Sequence, residues 1–189
     1  ELDRAFALME RALGGVADRI IRSPGRMTVG CRRHRGLCYA PMRFCLMLEG
    51  QEGVTWPDWL AAARAAERLG FEAIFTSDHY LSVMRHRDRD RGSSDAWTML
   101  AARAASTGTL RLRTMVSPVT FRHPSLLAKA GVTVDRVSDG RAEIGMGAGW
   151  WEEEHRTHGF PFPDTPTRFD MLEEQVEIGG PALSGEDAL

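Results

Sequence analysis

A chain of 189 residues with 43% hydrophobic and 26% charged side chains has enough apolar material for one sizeable core, which excludes an intrinsically disordered protein. A net charge of −2 offers no field for nucleic acid or an anionic membrane, and no apolar run approaches the length of a bilayer span. Cys31, Cys38 and Cys45 are odd in number, confined to one region and without C-x-x-C spacing, which argues against a disulfide framework or a zinc site and for a reducing cytoplasm.

Residues 1–41, Arg-rich from Arg22 to Arg35, show no clean strand and read as an N-terminal extension. Met42 opens a domain spanning 42–178, in which a short apolar strand, a loop and an amphipathic helix recur. Arg43 to Leu48 forms the first strand. Thr55, Pro57 and Asp58 start a helix that stops at Gly70, with Trp59, Ala62, Ala66 and Leu69 on its inner face. Ala73 to Thr76 forms the second strand and runs into Ser77-Asp78-His79-Tyr80, after which the charged run Arg85 to Arg91 loops outward. The next helix starts at Ser94-Asp95 and carries Trp97, Leu100, Ala101 and Ala104.

Leu110 to Val116 forms the third strand, and Pro124 opens a helix that ends near Val137. Ile144 centres the fourth strand, and a long Phe- and Pro-rich loop follows over Phe160 to Pro166. Thr167 begins a last helix with Phe169, Leu172, Val176 and Ile178 inward, and Gly179-Gly180-Pro181 breaks it into an irregular tail over 179–189. Four successive units with no hairpin signal predict parallel strands.

The fourth strand ends in Gly145-Met146-Gly147-Ala148-Gly149-Trp150, with glycine on alternate positions. Three readings fit such a run: a cofactor platform that offers bare backbone, close packing at a strand end, or a dinucleotide fingerprint. The fingerprint fails on spacing, because its third glycine would fall on Trp150 and Glu152, Glu153 and Glu154 would crowd a pyrophosphate. His155 and His158 fall in this Glu-rich stretch and read as a solvated face.

Taken in order, Thr76-Ser77-Asp78-His79-Tyr80, Val116 to Pro124, Ser138-Asp139-Gly140-Arg141, Gly145 to Trp150, and Arg168 with Leu172-Glu173-Glu174 resemble the luciferase-like flavin or deazaflavin oxidoreductases, particularly those that use coenzyme F-420. The resemblance covers Met42 to about Ile178. It implies a (β/α)8 TIM barrel, here a partial barrel of about four βα units, with the cofactor ring at the C-terminal ends of the strands. It implies that Asp78 and His79 lie beside the ring as catalytic groups. It also implies that the third strand ends in a bulge, often with a non-proline cis peptide, within Thr114-Met115-Val116-Ser117, and that Gly147, Ala148 and Gly149 approach the cofactor from the fourth strand.

The activity implied is hydride transfer between coenzyme F-420 and an organic small molecule, with FMN-dependent monooxygenation as the close variant. Trp150 stands where some sugar-phosphate dehydrogenases of the family carry an acidic catalytic residue, which argues against their substrate. Half a barrel leaves strand edges open to another chain, such as a homodimer partner, so a non-catalytic remnant is the competing reading.

Overall fold

The computed structural model describes residues 43–50, 54–83 and 92–184. Met42, the charged run Arg85 to Arg91, and the extension over 1–41 lie outside the described residues. Six short parallel strands and the helices between them make up the described fold, in the order β1 Cys45–Leu48, α1 Trp56–Arg68, β2 Ala73–Thr76, α2 Ala96–Ala104, β3 Arg111–Thr114, β4 Ser117–Pro118, α3 Pro124–Ser138, β5 Ala142–Glu143, β6 Met146–Gly147, α4 Glu152–His158 and α5 Thr165–Ser184. The main sheet runs β1-β2-β3-β5, all parallel, and β4 pairs with β6 as a second parallel ladder. This is the partial barrel expected from the sequence. No helix among the described residues is long and apolar enough to cross a membrane.

The caps fall where the sequence places them. Thr55 donates from its backbone N–H and its hydroxyl to Asp58 at the start of α1, Asp95 accepts from the Thr98 N–H at 2.8 Å to start α2, and Pro124 occupies the first turn of α3. Asp139 and Gly140, both at positive φ, end α3 and turn the chain into β5. One face of the sheet then meets the helices. Ile74, Leu110 and Leu112 pack against Ala63 and Ala66 of α1, Trp97, Leu100 and Ala104 of α2, and Leu127 and Val134 of α3, with Leu46 and Leu48 at the margin.

Two predicted strands are each divided. The third is β3 and β4, separated by Met115 and Val116, whose peptide bond is cis; the fourth is β5 and β6, with Ile144 between them in neither. From the pair Leu112↔Ala142 to the pair Ser117↔Met146, the third strand advances five residues and the fourth only four, so the third carries one extra residue: a β-bulge. The bulge fits because residue 145 is glycine. A Cβ there would stand 2.1 Å from the Thr114 carbonyl oxygen, and one on Gly147 would stand 2.5 Å from Val116 Cγ2. Thr114 Oγ1 and the Ser117 N–H donate to the Gly145 carbonyl at 3.0 and 2.7 Å, closing the seam.

The C-terminal third departs furthest from expectation. Residues 152–158, read from sequence as a solvated Glu-rich stretch, form α4, which Gly159 ends at φ 72°. The last helix starts at Thr165, with Asp164 Oδ1 accepting from the Thr167 N–H, and it runs through Gly179-Gly180-Pro181 to Ser184. A proline cannot donate to the carbonyl four residues back, but this removes one bond from a ladder already well anchored upstream. Its inner face is also reversed. Phe169, Val176 and Ile178 are exposed, whereas Arg168 and Gln175 are buried, because this face closes on carbonyl oxygens that need donors: Gln175 Nε2 donates to the Val119 carbonyl at 2.7 Å and the Arg168 guanidinium to that of Pro163.

The seam generates a stability test. Gly145→Ala is expected to cost about 3 kcal/mol, since the added methyl meets backbone that cannot move aside. Gly108→Ala, where a Cβ meets nothing within 4 Å, should stay within about 0.5 kcal/mol. Urea unfolding of the two variants checks the contrast.

Candidate active site

Every parallel strand ends at the same side of the sheet, and the residues that follow β2, β4 and β6 converge there. After β2, Asp78 and His79 point to different surroundings. The Asp78 carboxylate is 1% exposed and faces inward, where it accepts from Ser117 Oγ at 2.7 Å and from both terminal nitrogens of Arg122; Trp97 Nε1 in turn donates to Ser117 Oγ at 3.0 Å. Arg122 also reaches Tyr80 Oη at 2.8 Å and the Asp95 carboxylate. Burial alone would disfavour the guanidinium charge, but the charge and hydrogen bonds of Asp78, with Tyr80 and Asp95, hold Arg122 protonated above its ordinary range. Asp78 is thus the anchor of a buried network beneath the site.

His79 faces the mouth. Its side chain is 17% exposed, and its Nδ1 meets Glu154 Oε2 at 2.8 Å, while Glu154 Oε1 accepts from the backbone N–H groups of Tyr80 at 2.6 Å and Leu81 at 3.1 Å. Glu154, on α4, is 1% exposed. One carboxylate therefore orients the imidazole and fixes the main chain behind it. Burial opposes the imidazolium, but the hydrogen bond and charge of Glu154, joined by Glu49 and Asp78, outweigh it and raise the His79 pKa above 6.5. For Glu154, burial favours the neutral acid, yet the bond to His79 and the two backbone donors bring its pKa below 4.5.

The reading of 152–158 as a solvated face is corrected here. Glu154 and His155 are each 1% exposed; His155 Nε2 meets Thr120 Oγ1 at 2.6 Å, its Nδ1 meets the Trp151 carbonyl at 2.7 Å, and Gly149 packs closely on the ring. His158 stays exposed but stacks on Phe160 at the edge of an aromatic cluster with Tyr80 and Phe121. Three adjacent glutamates hid one buried member, and only the helical period of α4 separates Glu154 from its exposed neighbour Glu152.

The remaining predicted residues divide by exposure. Thr114 and Ser117 are each 1% exposed and committed to the seam and the Asp78 network, while Met115 and Val116 between them are 51% and 42% exposed. Gly147 and Gly149 stand beside Val116 and His155, and Ala148 is half-buried. Trp150, 63% exposed, sets its ring 5.9 Å from that of His79 in an edge contact. Two large apolar side chains presented to solvent at strand ends, with an imidazole and an indole nearby, suit the face of a flat ring rather than a metal. A groove of 430 Å³ lies elsewhere, lined by Phe121, Arg122, Phe160, Met171 and Gln175 among others and not by His79.

Residues 39–188 match the luciferase-like monooxygenase family. An F420-dependent glucose-6-phosphate dehydrogenase of Beutenbergia cavernae is 35% identical over 130 residues, which are 68% of this chain and 38% of that one. Among solved structures, an F420-dependent secondary alcohol dehydrogenase in complex with an F420-acetone adduct superposes with a TM-score of 0.63 at 24% identity, over 74% of this chain and 41% of that one. The FMN complex of the oxygenating constituent of 3,6-diketocamphane monooxygenase from Pseudomonas putida does so at 0.58 and 21%, over 73% and 38%. The chain spans half or less of the length of the curated relatives it matches.

Glu154→Gln is expected to lower the His79 pKa, because the charge that opposes burial is gone; NMR titration of the ring protons reads the shift. The pair also sets a pH window. The raised His79 pKa contributes stability that is full below 6.5 and is lost as pH rises through its folded value, and the lowered Glu154 pKa contributes stability that is full above 4.5 and is lost as pH falls through its folded value. Wild-type stability minus that of Glu154→Gln should therefore peak between those two pH values.

Proposed function

Because this chain belongs to the luciferase-like monooxygenase family, we propose that it carries the proton-transfer side of an oxidoreductase site in which hydride moves between coenzyme F-420 and an organic small molecule. The observation that carries this reading is the Glu154–His79 pair, held at the same strand ends as exposed Met115 and Val116. Identity of 35% to an F420-dependent dehydrogenase supports the choice of cofactor, with FMN as the alternative. When bound, the deazaflavin accepts or donates the hydride; the protein supplies position and a proton.

The residues fit such a group. Met115 and Val116 would support the ring from the bulge, and the backbone over Gly147, Ala148 and Gly149 would border it from β6. An ionised Glu154 accepts from Nδ1–H, so His79 exchanges its proton at Nε2: neutral, it accepts one from a substrate hydroxyl; protonated, it returns one to a carbonyl oxygen. Asp78 acts at one remove. Its ties to Arg122 and Ser117 hold the chain on which His79 stands, which makes it a positioning residue.

Trp150 narrows the substrate. A large exposed indole beside His79 offers an apolar and aromatic wall where a sugar phosphate would need charge and hydrogen bonds. The substrate class that fits is an uncharged alcohol or carbonyl compound.

Fluorescence titration of the chain with coenzyme F-420, and separately with FMN, is the direct test. Saturable binding of F-420 is expected; binding of FMN alone would make the protein a flavin-dependent monooxygenase, and binding of neither would overturn the assignment. Met115→Asp, at an exposed position, should weaken cofactor binding about tenfold by setting a charge against the ring. His79→Gln should leave cofactor affinity unchanged while lowering kcat about 100-fold or more.

A further inference from the structure

Between α1 and α2 the fold brings together two buried donor groups that the site and its supporting network do not use. Trp59, in the first turn of α1, and Arg103, at the end of α2, are each 0% exposed. The guanidinium carbon of Arg103 lies over the Trp59 ring, 4.1 Å from its centroid. Gly50, two residues past β1, packs on the same indole, where a Cβ would stand 3.1 Å from Cζ2. Among the described residues none of the three Arg103 guanidinium nitrogens has a hydrogen-bond partner, and neither has Trp59 Nε1.

All four of these atoms are donors, so the pair carries one positive charge and no acceptor to meet it. The other deeply placed arginines are served differently: Arg122 meets the carboxylates of Asp78 and Asp95, and Arg168 meets the Pro163 carbonyl and Thr165 Oγ1. Burial pushes the Arg103 pKa down to about 9, which still leaves it protonated at neutral pH. Stacking on the indole offsets part of the charge but satisfies none of the N–H groups, and a buried guanidinium without an anion is strongly unfavourable. We infer that Arg103 and Trp59 Nε1 form a binding site, between α1 and α2, for a small monovalent carboxylate such as formate. The donor set selects that class. Two coplanar oxygens match the guanidinium fork, a single negative charge balances a single positive one, and a ligand that only accepts suits a cluster that only donates. Sulfate brings surplus charge, and a phosphate monoanion brings hydroxyl donors for which this cluster has no acceptor. The site shares no residue with the Glu154–His79 pair, so it stands or falls independently of the proposed oxidoreductase chemistry.

Proton NMR of the wild-type chain, titrated with sodium formate at constant ionic strength, tests the assignment, with Trp59→Phe identifying the Trp59 indole N–H resonance. Formate is expected to move that resonance downfield saturably, while the N–H of Trp97, already bonded to Ser117, stays in place. At ten times its dissociation constant formate should also raise the unfolding midpoint by about 4 °C. Arg103→Met, which keeps much of the bulk and removes the charge, should abolish both responses. A Trp59 resonance that does not move in wild type would overturn the inference without reference to any variant. So would a shift of the same size in Arg103→Met, or an equal response to sulfate at matched ionic strength, which would be a general salt effect.

Discussion

The seam between the third and fourth strands is the constraint on which the site depends. A strand with one extra residue can lie beside a shorter partner only where the partner offers no side chain, and Gly145 and Gly147 supply that absence against Thr114 and Val116. The bulge has two consequences. It turns Thr114 and Ser117 inward, where they close hydrogen bonds, and it presents Met115 and Val116 to solvent at the strand ends. Of the readings open to the glycine run, the close packing is the one seen: Gly145 and Gly147 lie directly against the bulge.

Beneath Met115 and Val116 the polar side chains are arranged in two tiers. Asp78, Ser117, Trp97, Arg122, Tyr80 and Asp95 form a connected network that links β2, α2 and the segment after β4. Networks of this kind, when their members are satisfied, rigidify what they touch. His79 stands on the edge of the network rather than within it, which keeps its ring accessible while Glu154 sets its orientation and basicity from α4. A titratable group on rigid supports, beside an exposed apolar surface, is what proton transfer coupled to cofactor chemistry requires.

Much of the scaffold was legible in the residues. Strand Ala73 to Thr76 falls where its apolar run predicts, α1 and α2 bury Trp59, Ala62, Ala66, Trp97, Leu100 and Ala104 as their periodicity requires, and the caps Thr55 and Asp95 and the first-turn Pro124 lie at the helix starts. The errors share one cause. α4 and the inner face of α5 are built from glutamate, histidine, arginine and glutamine, and hydrophobic periodicity is silent where a buried face is polar. Arg168 and Gln175 are buried because carbonyls of Pro163 and Val119 face them, and those carbonyls belong to other segments of the chain.

His79 was recognisable from its motif; its partner was not. Seventy-five residues separate His79 from Glu154, and nothing local distinguishes Glu154 from Glu152 and Glu153. The sequence by itself determined the order of the βα units, the helix caps, the apolar layer between sheet and helices, and the place of the glycines, since these follow from short-range sterics and from the period of apolar residues. Only the tertiary structure decided which acid is buried and which way Asp78 and His79 face. Those are matters of charge and hydrogen bonding between segments distant in the chain, and such pairs are set when the strands come into register.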